Sequence, residues 1–256
     1  MAKRYKFAQE VQKIPRTSRW YYYYNVVWTD LCNSILPRTE QKATEQALAR
    51  KGARGWGSKG SELSSFNLRG SKEVLKQQTW GTTKVWWAPI LSRGKLHVVT
   101  FEDDFPGEEP AGAKELVQKL LIAVNVRFSR SPSKPSWVFV DRGRGFYNPG
   151  NGKITPAFQT ALAECHFKAF WRDDASVQPG HLQEIMLHET AVSWLRHRLT
   201  TTVPAKAWEE TPLAFAARLR QCCAEINSSL DVDGLCRDFP SRIQKLIDKK
   251  GGRLAE

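Results

Sequence analysis

Hydrophobic positions along the chain follow two kinds of spacing, short apolar runs and longer segments with helical periodicity. Runs rich in aromatic and β-branched residues predict strands, whereas apolar residues three and four positions apart predict helices. We therefore expect strands at 19–30, 83–90, 95–101, 137–141 and 166–171. We expect helices at 3–13, 38–51, 113–126, 155–164, 181–199, 211–229 and 239–250. This order predicts an α/β fold, with helices covering a partly antiparallel sheet.

The domain organisation follows from the absence of any internal repeat or clean linker in the sequence. We expect a single domain over 1–256, with a basic insertion at about 38–80 and C-terminal helices at about 205–250. Within the insertion, Gly, Ser and basic residues predict a long loop at 52–72. Ser92-Arg93-Gly94 predicts the turn of a hairpin between the second and third strands.

Composition and residue spacing argue against a membrane-spanning protein, a secreted protein and a zinc-binding protein. The sequence has no run of 18 apolar residues, so we expect no membrane span. The basic opening Met1–Lys6 has no apolar stretch behind it, which argues against a secretory signal. The five cysteines form no C-x-x-C pair and have no zinc-ligand spacing, so we expect reduced, mostly buried thiols.

Positive charge is concentrated in the first third of the chain. Residues 1–95 hold 18 Lys and Arg against 6 Asp and Glu, whereas residues 96–256 hold 21 against 20. Such concentration favours a nucleic-acid partner, although a solvated basic face is the alternative.

Two predicted strands end in aspartate, at Asp30 and at Asp141. A charge at the end of a buried strand is costly unless it has a partner, and sites in α/β sheets gather at strand ends. A third carboxylate on a following helix would complete a site for hard divalent ions, either Mg²⁺ or Mn²⁺. Two such ions about 3.5–4 Å apart would suit attack on a phosphodiester. The alternative is that each Asp only caps a helix or an Asx turn.

The third acid is expected on the predicted helix 181–199, which carries Glu184 and Glu189. A turn of 100° per residue puts Glu189 on the apolar face and Glu184 near the flank with His188, so we prefer Glu189. No two of the five histidines have the spacing of shared metal ligands, so we expect no histidine ligand.

Several segments together resemble the mariner superfamily of transposases, from Lys3 to about Leu254. The motifs are Lys3–Ala8, Val26-Val27-Trp28-Thr29-Asp30, Lys84–Trp87 with Gly94–Val99, Val138-Phe139-Val140-Asp141, Glu189–Leu199 and Phe239–Gly252. The resemblance implies a ribonuclease H-like fold, with Asp30, Asp141 and Glu189 as catalytic metal ligands. It also implies DNA as the partner, Mg²⁺ or Mn²⁺ as cofactor, the nucleus as location and a homodimer as candidate assembly.

The sequence departs from the family pattern near the acids. Asp141 is followed by Arg142-Gly143-Arg144, where the family usually has Asn and then His, and Leu31 follows Asp30 where Glu is common. The 47 residues between Asp141 and Glu189 exceed the usual interval. Only about twenty residues precede the first predicted strand, so we expect no N-terminal helix-turn-helix module in this sequence.

Five basic residues are candidates for DNA contact: Arg142, Arg144, Lys51, Arg54 and Lys59. The two arginines follow Asp141 and could bind phosphates near the cut, or they could be solvated turn residues. The other three flank an aromatic residue in a Gly-rich stretch that could follow a DNA backbone or form a flexible loop.

Three functions are compatible with these features. The first is a metal-dependent transposase that cleaves and joins DNA strands. The second is a non-catalytic, transposase-derived DNA-binding protein. The third is a structure-selective nuclease that cuts branched DNA or an RNA–DNA hybrid without joining strands.

Overall fold

A computed structural model describes most of the chain. The described residues are 2–13, 21–52, 81–101, 113–128, 135, 137–141, 145–148, 150–170 and 182–254. No helix among them is long and apolar enough to cross a membrane.

Helices and strands are interleaved up to Ala169, and the elements described after it are all helical. The helices are α1 (Ala2–Gln12), α2 (Tyr21–Tyr24), α3 (Glu40–Gly52), α4 (Ala113–Phe128), α5 (Pro156–Glu164), α6 (Leu187–Thr201), α7 (Pro212–Ser229), α8 (Val232–Arg237) and α9 (Phe239–Asp248). The strands are β1 (Val26–Thr29), β2 (Cys32–Pro37), β3 (Thr82–Ser92), β4 (Lys95–Thr100), β5 (Trp137–Phe139) and β6 (Lys168–Ala169). Short 3-10 turns lie at Gln183–Ile185 and Ala207–Glu209.

The strands form one mixed sheet. The long strand β3 pairs antiparallel with β4 along one edge and with β1 and β2 along the other. β1 then pairs parallel with β5, and β5 pairs parallel with β6. The expectation of a partly antiparallel sheet flanked by helices is therefore confirmed.

Each face of the sheet contributes side chains to a buried core, because strand side chains alternate between the two faces and helices pack on both. Val26, Trp28 and Phe139 point into a core shared with α6, α7 and α9. Val27 and Val138 point into a second core, shared with α4 and α5. Even-numbered positions in β1 thus belong to the first core and odd-numbered ones to the second. An acid just after the strand therefore faces the helices of one core only, according to its position in this alternation.

Three local features differ from the sequence expectations. Tyr21–Tyr24 forms a helical turn, so the expected strand 19–30 is wrong over these residues and correct over Val26–Thr29. The strand Cys32–Pro37 and the short helix Val232–Arg237 were not expected. All five cysteines are buried thiols, as expected.

The β3–β4 hairpin is closed by the expected turn. Ser92 pairs with Lys95, and Arg93 and Gly94 between them have φ values of 52° and 70°. Two consecutive positive φ angles are characteristic of a type I′ turn, whose twist matches that of the strands it joins.

We predict that Gly94→Ala destabilises the fold by about 1–3 kcal/mol, because a side chain there is strained by the positive φ. Its Cβ would also overlap Asp233 Oδ1 and lie 3.0 Å from Tyr23 Oη. Thermal unfolding measures the change. The matched control is Gly150→Ala, because Gly150 is exposed and its new Cβ would lie 3.4 Å from Asn148 Oδ1. Equal melting temperatures for both variants would contradict the prediction.

Candidate active site

Asp30 and Asp141 follow neighbouring parallel strands. The β1–β5 register pairs Val26 with Trp137 and Trp28 with Phe139, so its continuation brings Asp30 opposite Asp141. Each Asp lies two residues after an aromatic side chain of the first core, and side chains two positions apart share a face of a sheet. Both acids therefore lie at the end of the face that α6 covers.

The strand carrying Asp30 is interrupted at this residue. β1 and β2 keep one common register against β3, and Asp30 and Leu31 between them lie opposite Pro89 and Ala88. Pro89 has no backbone N–H to donate, and its carbonyl accepts a hydrogen bond from the Thr29 hydroxyl at 2.6 Å. Pro89 thus lies opposite Asp30, at the point where the strand pairing with β3 is interrupted.

The third candidate acid lies in the first turn of α6. The expected helix 181–199 is correct from Leu187 onwards, but a 3-10 turn at Gln183–Ile185 and the extended Met186 precede the α-helix. The helical wheel that compared Glu184 with Glu189 therefore does not apply. His188 is fully buried, and Glu189 lies on the partly exposed flank of the helix.

The described residues include one group of potential metal ligands from three chain positions. One ligand atom each from Asp30, His188 and Glu189 lies within 4.8 Å of the others. Asp141 belongs to the same acidic neighbourhood, because its charge raises the pKa of both Asp30 and Glu189. Asp30 follows β1, Asp141 follows β5, and His188 and Glu189 belong to α6, so the four side chains come from three distant parts of the chain.

The pKa of Asp30 is raised to about 7, chiefly by burial and in part by the charges of Asp141 and Glu189. The Leu31 N–H, which donates to Asp30 Oδ1 at 2.7 Å, and the positive charge of Arg196 both oppose this shift. Burial and the charge of Asp141 also raise the pKa of Glu189, while Arg196 lowers it. Concentrated negative charge with little solvent is an environment that a bound cation would stabilise.

His188 is neutral in this environment, because burial lowers its pKa to about 3. Neither of its ring nitrogens has a hydrogen-bond partner within the described part of the chain. A buried polar group without a partner costs about 1–3 kcal/mol. This cost points to a use for the imidazole other than packing.

Glu184, the alternative third acid, is directed elsewhere. It forms an ion pair with Arg4 of α1. Arg242 of α9 holds the same segment by donating to the Glu184 carbonyl at 3.4 Å and to Thr190 Oγ1 at 3.2 Å. The two arginines therefore both contact the 3-10 turn that precedes α6.

An aromatic cluster supports both strands below the acids. The rings of Trp28 and Phe139 stack with centroids 4.5 Å apart. Phe239, the first residue of α9, packs 4.7 Å from Trp28 and also 4.7 Å from Tyr22. Phe170 completes the cluster at 4.8 Å from Phe139. The C-terminal segment, which has no catalytic acid in the expected triad, thus packs against both acid-bearing strands.

The expected DNA-binding residues cannot be located in this site. Four of them lie outside the described residues, namely Arg142, Arg144, Arg54 and Lys59, and Lys51 is described only through the backbone of α3.

The sequence analysis did not predict two neighbours of the acids, His188 and the exposed Arg196. Arg196 follows Glu189 by seven residues, so two helical turns put them on one face, a signal that was available in the sequence.

No family model and no curated protein matches this chain. Among the solved structures similar to it are two that align with 99% of its length. The first, a pre-cleavage Mos1 transpososome, has a TM-score of 0.56 at 10% identity, with 64% of that chain covered. The second, the Mos1 strand transfer complex, has a TM-score of 0.55 at 13% identity, with 62% covered.

The chain spans a little under two thirds of the length of each Mos1 chain. At this low identity, the likeness establishes the fold. The chain shares the fold of the Mos1 chains, an α/β ribonuclease H-like mixed sheet flanked by helices.

Proposed function

We propose that this protein is a metal-dependent enzyme of the transposase type, which cleaves DNA strands and joins them. Asp30, Asp141 and Glu189 would be its catalytic acids and would hold Mg²⁺ or Mn²⁺. The observation that carries the proposal is the convergence of these acids, since the β1–β5 register continues to bring Asp30 opposite Asp141, and ligand atoms of Asp30 and Glu189 lie within 4.8 Å of each other. The mariner-like fold supports the same assignment.

The chemistry needs acids rather than a protein nucleophile. When bound, divalent ions would lower the pKa of an attacking water and neutralise charge on the leaving 3′ oxygen. The chain itself contributes three acids: two at paired positions after neighbouring strands, and one in the first turn of α6. In strand joining, the freed 3′ hydroxyl would replace water as the attacking group.

DNA binding in this proposal draws on the sequence. The excess of basic residues over 1–95 would bind phosphates, with Lys51, Arg54 and Lys59 as candidates. Arg142 and Arg144 would contact the strand near the cut, because they lie one and three residues after Asp141. A homodimer and nuclear location complete the proposal, again from the sequence resemblance.

The test is nicking of supercoiled plasmid in Mg²⁺ or Mn²⁺. We predict that Asp141→Asn reduces nicking at least about 100-fold, because removing the charge weakens metal binding at the site. DNA affinity, measured by fluorescence anisotropy, should stay within about twofold, since the acid contributes none of the phosphate contacts. Retained nicking by this variant would refute the assigned mechanism.

Two glutamate variants identify the third acid. Glu189→Gln should abolish nicking, whereas Glu184→Gln should retain it because Glu184 pairs with Arg4 instead. Asp248→Asn, an exposed change in α9, is the matched Asp-to-Asn control and should nick normally. Absence of nicking by the unaltered chain would favour the non-catalytic DNA-binding protein. Cleavage of branched DNA or a hybrid without strand joining would favour the structure-selective nuclease.

A further inference from the structure

The imidazole of His188 is a buried polar group that the proposed acid mechanism does not use. It is 0% exposed, in the first turn of α6, and both ring nitrogens lack a partner within the described chain. Buried side-chain nitrogens are nearly always paired in folded proteins, so an unpaired imidazole beside two acids indicates a missing ligand.

The geometry indicates what that ligand is. The ligand atoms of Asp30, His188 and Glu189 lie within 4.8 Å of one another. Ligands on opposite sides of a divalent ion are about 4.2 Å apart when each bond is about 2.1 Å. Small side-chain adjustments would therefore let all three atoms contact one ion. A cation would at once balance the two acids and give one imidazole nitrogen its partner.

We propose that His188 is a nitrogen ligand that completes a mixed nitrogen–oxygen metal site with Asp30 and Glu189. Such a site prefers a first-row transition ion over Mg²⁺, because imidazole is a softer ligand than water or carboxylate oxygen. The proposal deepens the proposed function, since it concerns the ion at the same acids. Metal binding itself, however, is measurable without DNA or catalysis.

Pulsed electron paramagnetic resonance of bound Mn²⁺ tests the ligand directly. A coordinated imidazole adds a nitrogen modulation to the echo decay, and this modulation changes when the histidines carry ¹⁵N in place of ¹⁴N. We expect this modulation in the unaltered chain. We also expect it in a variant whose other four histidines, His97, His166, His181 and His197, are replaced by Gln.

Affinity gives a second readout. His188→Leu fills similar space without a nitrogen and should weaken Mn²⁺ binding about 10–100-fold by calorimetry, the loss typical when metal-site support is removed. Mg²⁺ affinity should fall much less, by roughly threefold or under, because Mg²⁺ favours oxygen ligands. His197→Gln, an exposed change on the same helix, is the control and should bind both ions normally.

The outcomes separate this inference from the proposed function. A folded, Mn²⁺-loaded chain without nitrogen modulation overturns the inference, even if it nicks DNA. Nitrogen modulation in a chain that never nicks DNA supports the inference and removes the proposed function. If His188→Leu fails to fold, the chain with His188 as its sole histidine still decides the question, since its modulation has no other source.

Discussion

Replacing Phe239 by alanine should destabilise the protein by about 3–5 kcal/mol, the loss typical of a buried aromatic side chain. Phe239 is fully buried and contacts Trp28 and Tyr22 at 4.7 Å between ring centroids. The cavity left behind would open beneath both acid-bearing strands. Thermal unfolding should show a melting temperature lower by about 10 °C.

Two control variants test whether the loss comes from the buried aromatic ring. Phe239→Leu keeps most of the apolar volume and should cost less than about 2 kcal/mol. Leu213→Ala, at a position 60% exposed, should change stability by less than about 0.5 kcal/mol. If Phe239→Ala were no worse than Leu213→Ala, α9 would not be packed on the sheet as described.

Replacing Asp30 by asparagine should stabilise the metal-free protein at pH 8 by about 2–4 kcal/mol. The folded chain raises the pKa of Asp30 from 3.8 to about 7, chiefly through burial, so ionisation at pH 8 occurs at a cost. Asparagine is uncharged and its side-chain oxygen still accepts from the Leu31 N–H. The melting temperature should rise by about 5–10 °C.

The pH dependence gives the sign of this effect. A carboxyl group with a higher pKa in the folded chain binds protons more tightly when folded, so stability falls as the pH rises from about 4 to 7. Above pH 7 this contribution is constant. The gap between Asp30→Asn and the unaltered chain should therefore close towards pH 4. Asp248→Asn, which is exposed, should show no gap at either pH.

At pH 8, a divalent metal should make the unaltered chain more stable than Asp30→Asn. Mn²⁺ would stabilise the unaltered chain by binding its folded state, whereas Asp30→Asn lacks one of the acids and should gain little. A flat pH profile without metal would show that the Asp30 carboxyl is solvated rather than buried.

Elements with local signals were predictable from the sequence. The amphipathic helix at 113–126 and the hairpin at Ser92–Gly94 appear close to their expected positions, because helical periodicity and turn residues act within a few residues. Tyr21–Tyr24 was mispredicted because aromatic composition favours strands only where the surroundings allow it. Here long-range contacts decide instead: Tyr22 Oη donates to the Val11 carbonyl at 3.1 Å, and Tyr23 Oη to Asp233 Oδ1 at 2.5 Å.

The site was only partly predictable. Strand ends indicated Asp30 and Asp141, and the register brings them opposite one another. Glu189 was preferred from a helical wheel that assumed a continuous helix, although the helix begins at Leu187. His188 was rejected because no other histidine has ligand spacing from it, yet its neighbours are an adjacent Glu and an Asp 158 residues earlier. Spacing rules detect ligands within one segment, and this group is assembled by the sheet.

The common register of β1 and β2 limits how the chain can change length near its acids. Adding or removing one residue between them would turn every side chain of one strand to the opposite face. Substitution at Asp30 or Leu31 leaves that alternation intact, but an insertion or deletion does not. Homologues that keep both strands should therefore vary here in residue identity while conserving a spacer of two.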